Sequence, residues 1–311
     1  MNRPLKPRRS VVVFSVFLFF CITGPVAAFS KYTIQPTDNV TSTKQEALAY
    51  INSIKELPPS NLWPYIKPAA FLQNIKDDVQ QPIGIYPGNG TNFCGYGALT
   101  YLFLQDDPLG YTKLLLQLYQ EGKAHFGKAD FSPSAAIRKE AGRLRYKGIL
   151  DIHPAEQLWF LCLADHYKGY LNLFNRHYDN GDENRFWASV NYAKFNRMVR
   201  SLLQYKVKAK GSDLIRPHTD DLYQYISERM TTGKVVLFIN NRVVHKKSHV
   251  NLKVKVPTHF IVAERISLSN DLVTLVYWDY GGRTQLQMSP AFLKRIIFGI
   301  TYCTKKQADA N

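Results

Sequence analysis

Residues 259–282 read HFIVAERISLSNDLVTLVYWDYGG. Two apolar, β-branched runs, 259–266 and 272–279, flank a short stretch of turn formers from Ser267 to Asp271, and Gly281-Gly282 closes the second run. That pattern predicts an antiparallel hairpin. With the turn centred near Ser269, His259 is set directly across from Asp279, Ile261 from Tyr277 and Ala263 from Leu275. Opposed residues share a sheet face, with Cβ atoms about 4.5–5.5 Å apart. The register therefore predicts that Asp279 holds Nδ1–H of His259 and leaves Nε2 for a third group. A slip of one residue would put the two side chains on opposite faces.

Upstream of the hairpin, KVVLFI at 234–239 predicts another strand, and RTQLQM at 283–288 a strand or turn leading into a helix over 290–300. Before residue 230 the period is helical over Lys44–Ile54, capped by Ser42 or Thr43, from Cys94, over 109–120, much of 134–205, and 220–230, with a separate segment 68–76 after Pro58-Pro59 and Pro64. Helices first and adjacent strands afterwards predict an α+β fold with an antiparallel sheet.

The third group is sought where a thiol could be activated. Cys94 follows the turn-rich loop QQPIGIYPGNGTN and begins the apolar-periodic stretch containing Ala98, Leu99, Leu102 and Phe103. A helix N-terminus favours the thiolate through its unpaired N–H groups and macrodipole. Gly95 and Gly97 are costly in a first turn, and are read here as room for a substrate backbone. A thiolate, an imidazole to shuttle the proton and a carboxylate to orient the imidazole make a nucleophilic set, so Cys94, His259 and Asp279 are the candidate catalytic residues. Alone, each has a plainer reading: a core cysteine, a strand-end histidine, a turn-forming aspartate.

The blocks NFCGYGAL at 92–99, PTHFIV at 257–262 and VYWDYGG at 276–282 resemble the papain-like cysteine peptidase superfamily, closest to its bacteriocin-processing, double-glycine branch. The resemblance covers about a third of the chain. It implies a two-lobed, papain-like fold, a nucleophile helix packed on an antiparallel sheet with the site in the cleft between lobes. On this reading residues 29–60 form an N-terminal arm and helix, and 61–311 a catalytic domain with a large helical insertion at about 108–230. The family places a glutamine six residues before the cysteine to bind the oxyanion. Here that position is Gly88, which leaves Asn89 and Asn92 as the nearest amides. No cofactor or metal is implied.

The remaining readings bound the setting. Arg3, Lys6, Arg8 and Arg9, the apolar run Val11–Ile22 and Val26-Ala27-Ala28 have the anatomy of a secretory signal peptide over 1–28, cleaved after Ala28. Its apolar run falls short of the roughly 20 residues that span a bilayer. The expectation is a periplasmic or secreted protein with no transmembrane segment in the mature chain. Cys94, Cys162 and Cys303 then remain, an odd number, and a Cys162–Cys303 bridge is one option. The formal charge of +16 points to an anionic envelope polymer as a partner beside a peptide or peptidoglycan-like substrate, or simply to a solvated lysine-rich face. No nucleic-acid motif is present. His153 and His166, His245 and His249, and the acidic group Asp179, Asp182, Glu183 lack convincing ligand spacing.

The function expected is an exported hydrolase cutting a peptide or isopeptide bond, cell-wall peptide among them. The same triad would serve an acyltransferase, a transglutaminase-like enzyme or a deamidase. A non-catalytic envelope binding protein retaining the fold is the alternative of another class.

Overall fold

The computed structural model describes residues 32–34, 40–88, 90–144, 152–168, 177–241 and 257–305. Its elements run β1 (Tyr32–Ile34), α1 (Lys44–Ser53), α2 (Pro68–Gln80), α3 (Cys94–Asp106), α4 (Pro108–Glu121), β2 (Ala124–Phe126), β3 (Ala129–Phe131), α5 (Ala135–Glu140) and α6 (Pro154–His166). Then come α7 (Tyr192–Leu202), β4 (Lys206–Gly211), α8 (Leu222–Met230), β5 (Lys234–Ile239), β6 (His259–Ser269), β7 (Leu272–Asp279), β8 (Gly282–Met288), α9 (Pro290–Ile296) and β9 (Ile297–Thr304). The fold is α+β. The described strands β4-β9-β5-β6-β7-β8 form one antiparallel sheet in that order, with β1 added to the far end of β6.

Alternation along the strands divides the core in two. Val236, Phe238, Phe260, Val262 and Trp278 face the larger helical layer, where Phe260 stacks on Phe238 at 4.2 Å and on Phe195 of α7 at 4.5 Å. Val235, Leu237, Ile261, Ala263, Leu275 and Tyr277 face α8 and α9 on the other side. Helix α3 is apolar on all sides because it is buried on all sides, between the sheet and the other helices. Thr43 caps α1 in a reciprocal arrangement with Glu46.

Three expectations fail. The run 290–300 is not one helix: α9 ends at Ile296, and IFGITYCT forms β9, which returns between β4 and β5 and carries Cys303 inside the sheet. Residues 108–230 are not wholly helical, since they contain the β2–β3 hairpin and the lysine-bearing edge strand β4. Within the expected polar arm, Tyr32–Ile34 pair with β6.

Two carboxyls are buried behind the loop that leads to Cys94. Asp78 of α2 accepts the Tyr111 hydroxyl at 2.8 Å, and Glu156 of α6 accepts the backbone N–H of Tyr86 at 3.0 Å and of His153 at 3.2 Å. Burial pushes Asp78 up to about 7. Burial, and after it the charge of Asp78, push Glu156 well above the usual carboxylate range. Groups raised in this way bind protons more tightly in the folded chain, so stability falls as pH rises from about 4 to about 7. Asp78→Asn keeps an acceptor for Tyr111 and is expected to flatten that fall, raising Tm at pH 8 by about 5 °C. Thermal melts at pH 5, 6.5 and 8 check it, and an unchanged slope would contradict it.

Candidate active site

The chain enters α3 through a loop held from within. Phe93 N–H donates to Thr91 Oγ1 at 3.2 Å, and the Phe93 ring is buried against Tyr96 and Phe160. Among the described residues no side-chain cap is made at the N-cap Phe93, which leaves the first N–H groups of α3 beside the Cys94 sulfur. Cys94 is half-buried, with Sγ 3.8 Å from the carbonyl oxygen of Thr258, the residue before β6. The two glycines do not make room for substrate. A Cβ on Gly95 would lie 2.8 Å from Val190 Cβ, and one on Gly97 would lie 3.0 Å from Trp278 and 3.2 Å from Pro87. They let the helix start pack tightly on both sides.

His259 opens β6 and Asp279 ends β7. Imidazole Nε2 and Asp279 Oδ1 are 2.5 Å apart, and both side chains are buried. Among the described residues Nδ1 has no partner that meets hydrogen-bond geometry, while the Cys94 thiol lies close enough to the ring to favour its charged form. The ring is thus turned the opposite way from expectation, with Nε2 rather than Nδ1 on the carboxylate. Burial alone would depress His259, but the hydrogen bond and charge of Asp279, with Cys94 adding to them, push it up to about 9.

The expected register also needs correction. The turn is the two-residue Asn270-Asp271, both at positive φ as a type I′ hairpin requires, and Ser269 pairs with Leu272. Continued unbroken from there, the ladder would bring Val262 opposite Asp279 and turn His259 away from it. A bulge between Ala263 and Arg265 prevents this. Arg265 pairs with Val276 but Ala263 with Tyr277, and Glu264 is the extra residue. The shift brings Ile261 level with Asp279 and so returns His259, two residues along, to the face of the carboxylate. Glu264 is re-aimed to accept hydrogen bonds from the Tyr101 hydroxyl of α3 and from Arg283 Nε of β8.

Sequence reasoning passed over two neighbours. The Tyr280 ring lies flat on His259, at 4.4 Å between centroids and 13° between planes, with its backbone at φ +42. The aromatic between Asp279 and Gly281 was a visible signal; the left-handed backbone that turns it over the imidazole was not. Lys194 of α7 is buried, donates from Nζ to the Ser189 carbonyl at 3.2 Å and sits 5.3 Å from the Tyr96 ring centroid. Burial, then Arg197, lower it to about 7.

The oxyanion candidates fare differently. Asn92 is committed elsewhere: Nδ2 donates to the Arg185 carbonyl at 2.9 Å, and its backbone N–H donates to Glu183 O at 2.8 Å. Asn89 lies outside the described residues, as do the 1–28 segment, His245 and His249. A side chain at position 88 would be strained and crowded: Gly88 has φ +86, and a Cβ there would lie 2.7 Å from Ile152 Cδ1, which would have to move. Gly88→Gln is therefore expected to destabilise by about 2–4 kcal/mol, from the left-handed backbone and the overpacking together. Urea unfolding of the variant measures the loss.

Cys162 and Cys303 are buried free thiols and do not form the bridge considered above. Burial raises both, Cys303 to about 12. The acidic group is spent on local structure: Asp182 accepts from Asp179 N–H and Glu183 from the Tyr178 hydroxyl, each at 2.9 Å. His153 and His166 stand at opposite ends of α6. Among the described residues there is no group of three or more side chains able to hold a metal ion. No protein family, curated protein or solved structure matches this chain.

Proposed function

We propose that the chain is an exported cysteine-nucleophile hydrolase of papain-like architecture, acting on a peptide or isopeptide bond, with Cys94, His259 and Asp279 as its catalytic set. The observation that carries this reading is the imidazole anchored to Asp279 through Nε2, with the half-buried thiol that starts α3 near enough to the ring to raise it further. A histidine held protonated to about pH 9 has the proton that a leaving amine needs. In the first half-reaction the Cys94 sulfur bonds to the substrate carbonyl carbon. The oxygen takes the developing charge beside the helix-start N–H groups. The C–N bond then breaks as His259 Nδ1–H protonates the leaving amine. In the second, His259 takes a proton from water, the hydroxide adds to the thioester, and the C–S bond breaks to release the acid and free thiolate. An amine in place of that water makes the same site an acyltransferase or transglutaminase-like enzyme, and ammonia as leaving group makes it a deamidase.

One observation favours a binding protein that retains the fold. Position 88 is a glycine and Asn92 is engaged, so neither supplies an amide to the oxyanion. Alkylation separates the two. Iodoacetamide at pH 7 is expected to modify Cys94 at least tenfold faster than the buried Cys162 and Cys303. Cys94→Ser should abolish product formation from a peptide and cell-wall fragment library, followed by mass spectrometry, at nearly unchanged Tm. Equal labelling of the three thiols, or an unchanged product list, would favour the binding protein.

A further inference from the structure

The loop that packs against the nucleophile turn carries an exposed aromatic ring. From Asp182 to Val190 the chain is fixed: Asn92 holds the carbonyls of both Glu183 and Arg185, Ser189 N–H donates to Phe186 O at 3.1 Å, and Val190 fills the space beside Gly95. Trp187 and Ala188 are buried beneath it. Phe186 nonetheless projects outward with 67% of its surface exposed. This large apolar side chain stands in water one residue from the Arg185 carbonyl that Asn92, two residues before Cys94, holds.

The chemistry says which part of a substrate at Cys94 would meet it. His259 has to reach the leaving nitrogen, so the leaving group lies on the β6–β7 side of the sulfur. The acyl portion then extends the other way. On α3, Cys94, Gly97 and Tyr101 share the face turned to the sheet, as the Thr258, Trp278 and Glu264 contacts show. Gly95 points away from it, toward Val190 and the Phe186 loop. An acyl portion running away from the sheet therefore runs toward this loop.

We infer that Phe186 is a specificity-determining residue, selecting acyl groups with a large apolar side chain next to the attacked carbonyl. The inference rests on the proposed nucleophilic role of Cys94. A hydrophobic contact of this kind discriminates by about 10- to 200-fold.

Peptidyl chloromethyl ketones test it, because they alkylate the nucleophile while presenting only an acyl side. The full chain is treated with acetyl-dipeptidyl chloromethyl ketones bearing Phe, Leu or Gly at the first and second positions from the ketone. Rates of Cys94 modification are read by intact mass, with iodoacetamide as the reagent that needs no recognition. The expected result is that a Phe or Leu probe outpaces the all-Gly probe by tenfold or more. Phe186→Ala and Phe186→Asp should shrink that ratio to near one, and Phe186→Leu should keep most of it, all with unchanged iodoacetamide rates. A wild-type ratio near one, or a ratio that survives both Ala and Asp, overturns the inference. Failure of the underlying site would look different: iodoacetamide would show no preference for Cys94 and no dependence on His259.

Discussion

His259→Ala is expected to lower kcat by roughly 10⁴-fold or more, since a member of a nucleophilic set acts with its partners as a unit. It should also slow iodoacetamide modification of Cys94 at pH 7, where the imidazolium no longer supports the thiolate. The variant costs about 3 kcal/mol of stability as well, because Asp279 stays buried after losing its cationic partner. Asp279→Asn separates chemistry from folding. The amide keeps an oxygen for the imidazole while removing the charge that, with the hydrogen bond, overcomes burial. In the wild type kcat/KM should hold until about pH 9 and then fall as Nδ1 loses its proton; in Asp279→Asn the fall moves to lower pH. Stability should follow. A histidine raised in the folded state contributes fully below about 6.5, and that contribution is lost as pH climbs through about 9. Lys194 works oppositely above pH 7, because a lowered amine gains stability as pH rises. The difference in Tm between wild type and Asp279→Asn across pH 6–9 isolates the histidine. A basic limb that stays put in Asp279→Asn would show that Asp279 does not set the charge of His259.

Tyr280→Gly is expected to leave Tm nearly unchanged while lowering turnover tenfold or more. Tyrosine at φ +42 carries a backbone cost of about 1–2 kcal/mol that glycine removes. Loss of the ring stack, about 0.5–1.5 kcal/mol, offsets the gain. Strain kept at one residue beside a reactive group is a recurrent feature of functional sites. Here it lays a ring across the imidazole that Asp279 holds. Tyr280→Phe keeps both backbone and stack and should retain most activity. If Tyr280→Phe falls as far as Tyr280→Gly, the hydroxyl matters rather than the ring. If neither variant loses activity, Tyr280 does not position His259.

Much of this arrangement was legible in the residues. The apolar runs HFIVA and LVYWD, with turn formers between them, mark the hairpin and place a histidine and an aspartate at its open end. Cys94 after a glycine- and asparagine-rich loop marks a helix start. What escaped depends on non-local packing. Glu264 reads as an ordinary strand residue until Tyr101 and Arg283 are seen to draw it out of the ladder. The run after Pro290 carries helical periodicity, and only the slot between β4 and β5 turns IFGITYCT into a strand. Gly95 and Gly97 look like openings until Val190, Trp278 and Pro87 are found filling them. In KVKAKG, lysines at every second position hide an edge strand whose pairing is all on one side, with β9.

The Glu264 bulge bears on how the hairpin can change length. Excising Glu264 would leave Ala263 opposite Tyr277 and Arg265 opposite Val276, so a chain one residue shorter still presents imidazole to carboxylate and gives up only the links to Tyr101 and Arg283. Removing a single residue elsewhere between Arg265 and Asp279 while that bulge remains would point His259 and Asp279 to opposite sides. Any homologue with an odd-numbered length difference in this stretch is therefore expected to carry its alignment gap at the position of Glu264.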